Sequence, residues 1–443
     1  MFGFIKKIFG GQAAPAANPD PFGRDKVLPA AVAAEPVPRA AAAAVLQRDE
    51  IIDERTRIAG YRLSARRPDA PGQPDPEATL ALLAGANVAA LAERRIALIP
   101  VSAADWMAHD YRPLIGPNTV FQLQPPGSEA EVAPWRDVAD AMHAAGARIA
   151  LPDSVMTTSA PLADVADFAL VDFSGYSLAS FEQAVARLRA TRPALQVIVE
   201  QVARWPEQRY CVAHGAAFCN GPFATAPDEE QAAGEISQSR LVLIEMLNQL
   251  RRDVDLAEIA EVAKRDPGVV VKVVAMANSP LLGRSQRVTG IDQAIMVLGC
   301  EQLYRWLSIG MFRAGDGTPR DEILLELALA RGRFLEVLGR EQHDKRACDE
   351  LFLLGLLSLL DCLLGVPMAT VLERIHLSPE MKEVLLSSGG PFGRYLLLAI
   401  AVEKGHAENV ARLAGQLGYS LASIEAASLD AIGWAEEAAT LSG

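Results

Sequence analysis

The amino-acid sequence predicts a two-domain protein, an α/β half built on a parallel sheet or barrel followed by an all-α half. Three observations carry this. Short β-branched or aromatic runs alternate with amphipathic helical segments as far as about Pro227. Beyond that point strand-like runs stop and apolar residues recur at helical spacing to the C-terminus. The chain has 443 residues, 50% of them hydrophobic and 22% charged, which suits an ordinary globular protein of more than one domain and excludes wholesale disorder.

In chain order, Phe2, Ile5 and Phe9 form a short apolar stripe around Lys6 and Lys7. It is too brief and too interrupted for a secretory signal, and a frayed terminus is preferred to an amphipathic foot on a membrane surface. From Gly11 to Ala44 the residues are nearly all Ala, Pro and small polar ones, a tether with too few large side chains to order it. The expected organisation is therefore an N-terminal segment and linker over 1–45, the α/β half over 46–227 and the helical half over 228–443. Strands are predicted at Arg57–Ala65, Ile96–Val101, Val120–Leu123, Ile149–Leu151, Phe168–Phe173 and Val197–Val199. Helices are predicted at Ala78–Leu91, Val132–Ala145 and Phe181–Arg189. Six or seven strands are short of eight strand-helix units, so a reduced or open barrel is expected. In the helical half, Asp255 with Glu258 three residues on is a capping box, and Asp266-Pro267 ends one helix and opens the next. Leu351–Val366 contains Asp361 and reads as one buried helix, too short for a bilayer.

Charge and cysteine usage narrow the chemistry. Lys+Arg 42 against Asp+Glu 55 gives a net charge of −13, so no nucleic-acid partner is expected. Five widely spaced cysteines with no C-x-x-C pair read as a reduced, cytoplasmic chain. Two His-Asp dipeptides occur, His109-Asp110 and His343-Asp344, the second in a charged stretch that reads as a solvated turn; no metal site is expected. The glycine cluster Ser387–Arg394 lacks a phosphate-loop pattern and reads as a turn between helices.

Leu256–Ser279 followed by Ile291–Gly299 resembles the HDOD domain signature. Asp266-Pro267 stands between two helices, Asn278-Ser279 closes the second, and Gln293 in Gln-Ala-Ile precedes Leu298-Gly299. The resemblance covers about Gly234 to the C-terminus and implies an HD-like helical bundle, similar to metal phosphohydrolases whose adjacent His and Asp help ligate metal. In this sequence Ser358 and Leu359 stand at those two positions, so the ligands the resemblance implies are lost.

The region from about Ile51 to Pro227 resembles a degenerate EAL domain, the (β/α) barrel that hydrolyses cyclic di-GMP. Gly60-Tyr-Arg-Leu-Ser-Ala-Arg66 falls at the family's name-giving strand end, and Arg62 then replaces the metal-binding glutamate. Gln122 stands at a glutamate position, Leu151-Pro-Asp-Ser154 keeps only Asp153 of an aspartate pair, and Leu170 replaces a catalytic-site lysine. Asp172 and Glu200 are kept, Ala203 stands where a second late glutamate is usual, and Asn220-Gly-Pro-Phe223 closes the series. Asp172 and Glu200 read more readily as strand-end residues that cap adjacent loops than as metal ligands.

Together these readings imply a non-catalytic bacterial signalling protein with an inactive EAL-like barrel and an HDOD output domain, without catalytic residues, metal or cofactor. Protein partners are implied, with Arg284 and Arg287 of the 280–287 loop as candidate contacts. A homodimer, weak membrane contact through residues 1–10, and cyclic di-GMP binding or residual hydrolysis stay open as alternatives; in a receptor, the Arg62 guanidinium could face a phosphate.

Overall fold

The computed structural model describes residues 44–441 except 129–130, 159, 229–235, 253, 279–286 and 315–317. The readings on the N-terminal stripe and tether, on Ser279 and on Arg284 lie outside the described residues. Among the described residues nine strands form one sheet: β1 (Val45–Asp53), β2 (Ile58–Arg67), β3 (Ala70–Pro74), β4 (Ile96–Val101), β5 (Thr119–Leu123), β6 (Arg148–Pro152), β7 (Phe168–Asp172), β8 (Gln196–Glu200) and β9 (Phe218–Asn220). From β2 through β4 to β9 neighbours are parallel, whereas β1 runs antiparallel between β2 and β9 and closes a ring of eight. β3 is an extra hairpin strand on the edge of β2.

The barrel is therefore complete, which corrects the expectation of a reduced or open one. The two strands that close it carry weak signals. β1 has Gln-Arg-Asp-Glu at its centre, with Arg48 and Glu50 paired at 3.5 Å, and β9 is three residues long. Neither shows as a run of β-branched residues, the usual mark of a strand in a parallel barrel.

Alternation along the strands divides the barrel into two layers. Ile96, Leu98, Val120, Ala150, Phe168, Leu170 and Ile198 join Ile51 in an enclosed apolar cluster, so the inside is packed. Their strand neighbours Ala97, Ile99, Phe121, Ile149, Ala169 and Val197 belong to the larger core beneath the helices.

That larger core continues without a break into the helical half. The helix Pro319–Gly339 packs on Lys345–Leu357 and Leu421–Leu441, while β1 packs on Gly393–Glu403. Polar ties reinforce the junction. Glu425 accepts from the Leu46 amide at 3.1 Å, the Tyr61 hydroxyl donates to Glu326 at 3.2 Å, and Arg95 reaches both Glu326 and Glu436 at 3.3 Å. β1 thus seals the barrel with its edges and docks the second half with its outer face.

Helix punctuation in the second half follows local chemistry. Asp266 accepts from the amides of Gly268 (2.7 Å) and Val269 (3.2 Å), and Pro267 occupies the first helical position. The Ser239 hydroxyl also donates to Asp266 and, with those amides, holds its carboxyl below the usual range against a partial burial penalty. Asp266→Ala is expected to cost about 1–2 kcal/mol, read by urea denaturation. Asp255 caps its helix through the Ala257 amide at 3.0 Å.

One expectation on helices is corrected. Leu351–Val366 is not one helix: Lys345–Leu357 ends at Ser358, and Leu360–Leu364 begins after Leu359. Among the described residues no single helix is long and apolar enough to cross a membrane. Asn278 follows the helix Pro267–Ala277 with φ −90°. Its side chain donates to the Val288 carbonyl at 2.6 Å and accepts from the Val288 amide at 2.8 Å. Gly299 interrupts Ile291–Gly310 with φ +69°, a backbone turn that favours glycine, while the preceding Leu298 is buried and Gln293 is exposed.

Candidate functional site at the mouth of the barrel

Strand register fixes which residues share the C-terminal end of the barrel. Arg62 of β2 lies opposite Asp49 of β1 and Leu98 of β4; Gln122 of β5 lies opposite Pro100 and Ala150; Asp172 of β7 lies opposite Glu200 of β8. Three of the six positions are brought into direct contact. Arg62 Nε donates to Gln122 Oε1 at 3.2 Å and lies 3.4 Å from Glu200 Oε1, while its Nη1 is 3.9 Å from Asp49. All three charged side chains are mostly buried, and burial pushes the Glu200 carboxyl up, countered by Arg62 and reinforced by Asp172 and Asp49.

The other three positions are not part of this cluster. Asp172 turns to its own loop, accepting from the Ser174 amide at 3.0 Å and the Ser174 hydroxyl at 2.7 Å. Asp153 opens the helix Asp153–Thr158 and accepts from the Tyr176 hydroxyl, whose pKa burial and this bond push up to about 12. Leu170 is buried in the barrel interior beside Ile198. The capping reading describes Asp172, but Glu200 is held by Arg62 instead.

Divalent metal, which the EAL resemblance implies, does not fit this arrangement. A guanidinium already lies against the carboxylate a cation would need, and a cation placed beside it would meet like charge. The remaining acidic groups each satisfy a different donor. Among the described residues no group of three or more His, Cys, Asp or Glu side chains is placed to hold a metal ion.

The second half repeats the pattern. Ser358 accepts from Arg331 Nη1 at 2.7 Å, and Arg331 makes two contacts with Glu403 at 2.8 and 2.6 Å. Leu359 is buried. His343 is half-buried rather than solvated, its Nε2 2.9 Å from the Tyr395 hydroxyl, and Asp344 caps Lys345–Leu357 through the Ala347 amide. His109 ends the helix Ala103–Ala108, and Asp110 pairs with Arg112 at the surface. Asp49, Tyr176, Arg331 and Glu403 are absent from the sequence reading. Asp49 could have been found only by recognising β1 as a strand and pairing it with β2.

Residues 237–369 match the HDOD domain family. Among curated proteins, uncharacterized protein YuxH of Bacillus subtilis is 24% identical over 223 residues, 50% of this chain and 54% of that protein. The cyclic di-GMP phosphodiesterase CdgJ of Vibrio cholerae is 22% identical over 224 residues, 50% of this chain and 51% of that protein. The chain thus spans about half the length of these curated relatives. An EAL domain protein from Listeria monocytogenes is similar at TM-score 0.32 and 14% identity, over 41% of this chain and 86% of that one. The chain therefore carries an HDOD domain over residues 237–369, and a closed eight-stranded barrel precedes it.

Proposed function

We propose that this chain is a non-catalytic cytoplasmic signalling protein that acts through protein contacts, with an EAL-like barrel that does not hydrolyse cyclic di-GMP. The observation that supports this most is the Arg62 guanidinium seated on Glu200 and Gln122. A two-metal phosphodiesterase needs several carboxylates converging on divalent cations to clamp the attacking and leaving oxygens. Here one guanidinium takes up that charge and Leu170 puts an apolar side chain where the resemblance implies a lysine.

The same geometry disfavours a receptor reading for the mouth. Asp49 and Glu200 flank one arginine and Asp172 stands opposite Glu200 on the neighbouring strand, so acidic groups outnumber the cation that a phosphodiester would need. Support for protein contacts comes from the signature helices, where Val271 and Met296 are 67% and 64% exposed despite their apolar side chains.

Purified protein incubated with cyclic di-GMP and Mg²⁺ or Mn²⁺ is expected to release no linear dinucleotide above the buffer blank. Arg62→Glu is expected to stay inactive as well, because Leu170 and the engaged Asp153 and Asp172 remain. Steady turnover by the wild type that disappears in Glu200→Gln would overturn the proposal.

A further inference from the structure

The opposite, N-terminal end of the barrel holds a cavity of about 680 Å³ between the strand starts and the helical half. Its wall is cationic in a chain whose net charge is −13. Arg57, Arg94, Arg95, Arg148 and Arg313 line it against the carboxylates of Asp53, Glu322 and Glu326, five positive groups to three negative. Glu436, behind the wall, pairs with Arg94 at 3.7 Å and Arg95 at 3.3 Å, so one positive charge is left over even when it is counted. A second pocket in the helical half, about 550 Å³ and lined around Arg305, carries five Arg or Lys side chains against four carboxylates.

Three of the five arginines are committed. Arg57 pairs with Asp53 at 3.2 Å, and Arg94 and Arg95 belong to the Glu326 and Glu436 cluster. Arg148 and Arg313 are different: among the described residues neither forms an ion pair with a carboxylate. Arg148 donates to the Pro117 carbonyl (3.1 Å) and Asn118 Oδ1 (2.7 Å), with its guanidinium 5.7 Å from the centre of the Phe168 ring. Arg313 donates through Nη2 to the Ala439 carbonyl at 2.6 Å, while its buried Nε has no acceptor. Ile58, Ile96 and Phe218 add an apolar surface to the same cavity.

We propose that this cavity binds a phosphate monoester of nucleotide size, its phosphate taken by Arg148 and Arg313 and its planar body by the apolar wall. Guanidinium forks match phosphate oxygens in pairs, and the volume falls in the range of small-molecule sites. Barrel enzymes run their chemistry at the other end, so this is a binding site and not a reacting one. Because the walls come from both halves, the ligand bridges them and stabilises their docking.

The test is calorimetric titration of the full chain with 5′-GMP, 5′-AMP, guanosine and inorganic phosphate. At least one nucleoside monophosphate is expected to bind more tightly than about 1 mM, with guanosine and inorganic phosphate at least about tenfold weaker. Arg148→Met and Arg313→Met should each weaken binding about tenfold or more, and Arg148→Lys should recover part of it. Arg62→Met, at the opposite end of the barrel, should leave it unchanged. Melting curves without ligand check that each variant is folded, and Arg148→Lys keeps the test open if a methionine variant is not. Absence of binding by both nucleotides, binding that survives both methionine variants, or binding lost in Arg62→Met would overturn the proposal.

Discussion

Raising the pH from about 5 to about 9 is expected to cost the folded protein several kcal/mol, and Glu425→Gln is expected to remove most of that loss. Glu425 lies on Leu421–Leu441 with 4% exposure and meets β1 at the Leu46 amide. Burial pushes its carboxyl up to about 8 from an ordinary 4.5, although the Leu46 bond and Arg48 pull the other way. The folded state therefore holds the proton more tightly than the unfolded chain does. Its contribution is fully present below 4.5 and is lost as pH rises through 8, on the order of 5 kcal/mol for the whole shift. Glu50 on β1, pushed up to about 7 by burial, adds a slope of the same sign. Urea denaturation of wild type and Glu425→Gln at three pH values decides the matter. Equal slopes for the two proteins would show that Glu425 is not the group responsible.

Gly355→Ala is expected to destabilise the helical half by about 3 kcal/mol or more, and Gly355→Leu to prevent its folding. A Cβ on Gly355 would lie 2.5 Å from the Gly332 nitrogen, 2.6 Å from the Gly332 Cα and 2.7 Å from the Arg331 carbonyl carbon. These are backbone atoms of the facing helix and have no rotamer to yield, so Pro319–Gly339 and Lys345–Leu357 would have to separate. Separation would also draw Arg331 away from Ser358. Gly415 is the control, a helical glycine whose Cβ would meet nothing within 4 Å. Gly415→Ala should stabilise by about 0.5–1 kcal/mol. Thermal or urea denaturation reads both variants, and a Gly355→Ala protein within about 1 kcal/mol of wild type would refute the close helix crossing.

The sequence by itself determined those features that depend on neighbouring residues. Asp266 caps the helix that Pro267 opens because its carboxyl needs only the amides two and three residues on. The six apolar runs of the barrel were legible because inward and outward residues are both buried, which leaves near-continuous β-branched stretches. The strand-end positions of Arg62, Gln122, Asp172 and Glu200 follow from the same runs.

Tertiary structure alone decided what those residues meet. β1 is a strand because β2 and β9 supply partners on either side, and its charged centre is tolerated because Arg48 and Glu50 pair there. Arg62 reads from sequence as a lost ligand, and only barrel closure brings it against Glu200 from a distant strand. Arg331 beside Ser358 and the arginine-lined cavity at the barrel floor have the same origin. Contacts between residues far apart in the chain are set by register, crossing angle and closure, which local propensity does not encode.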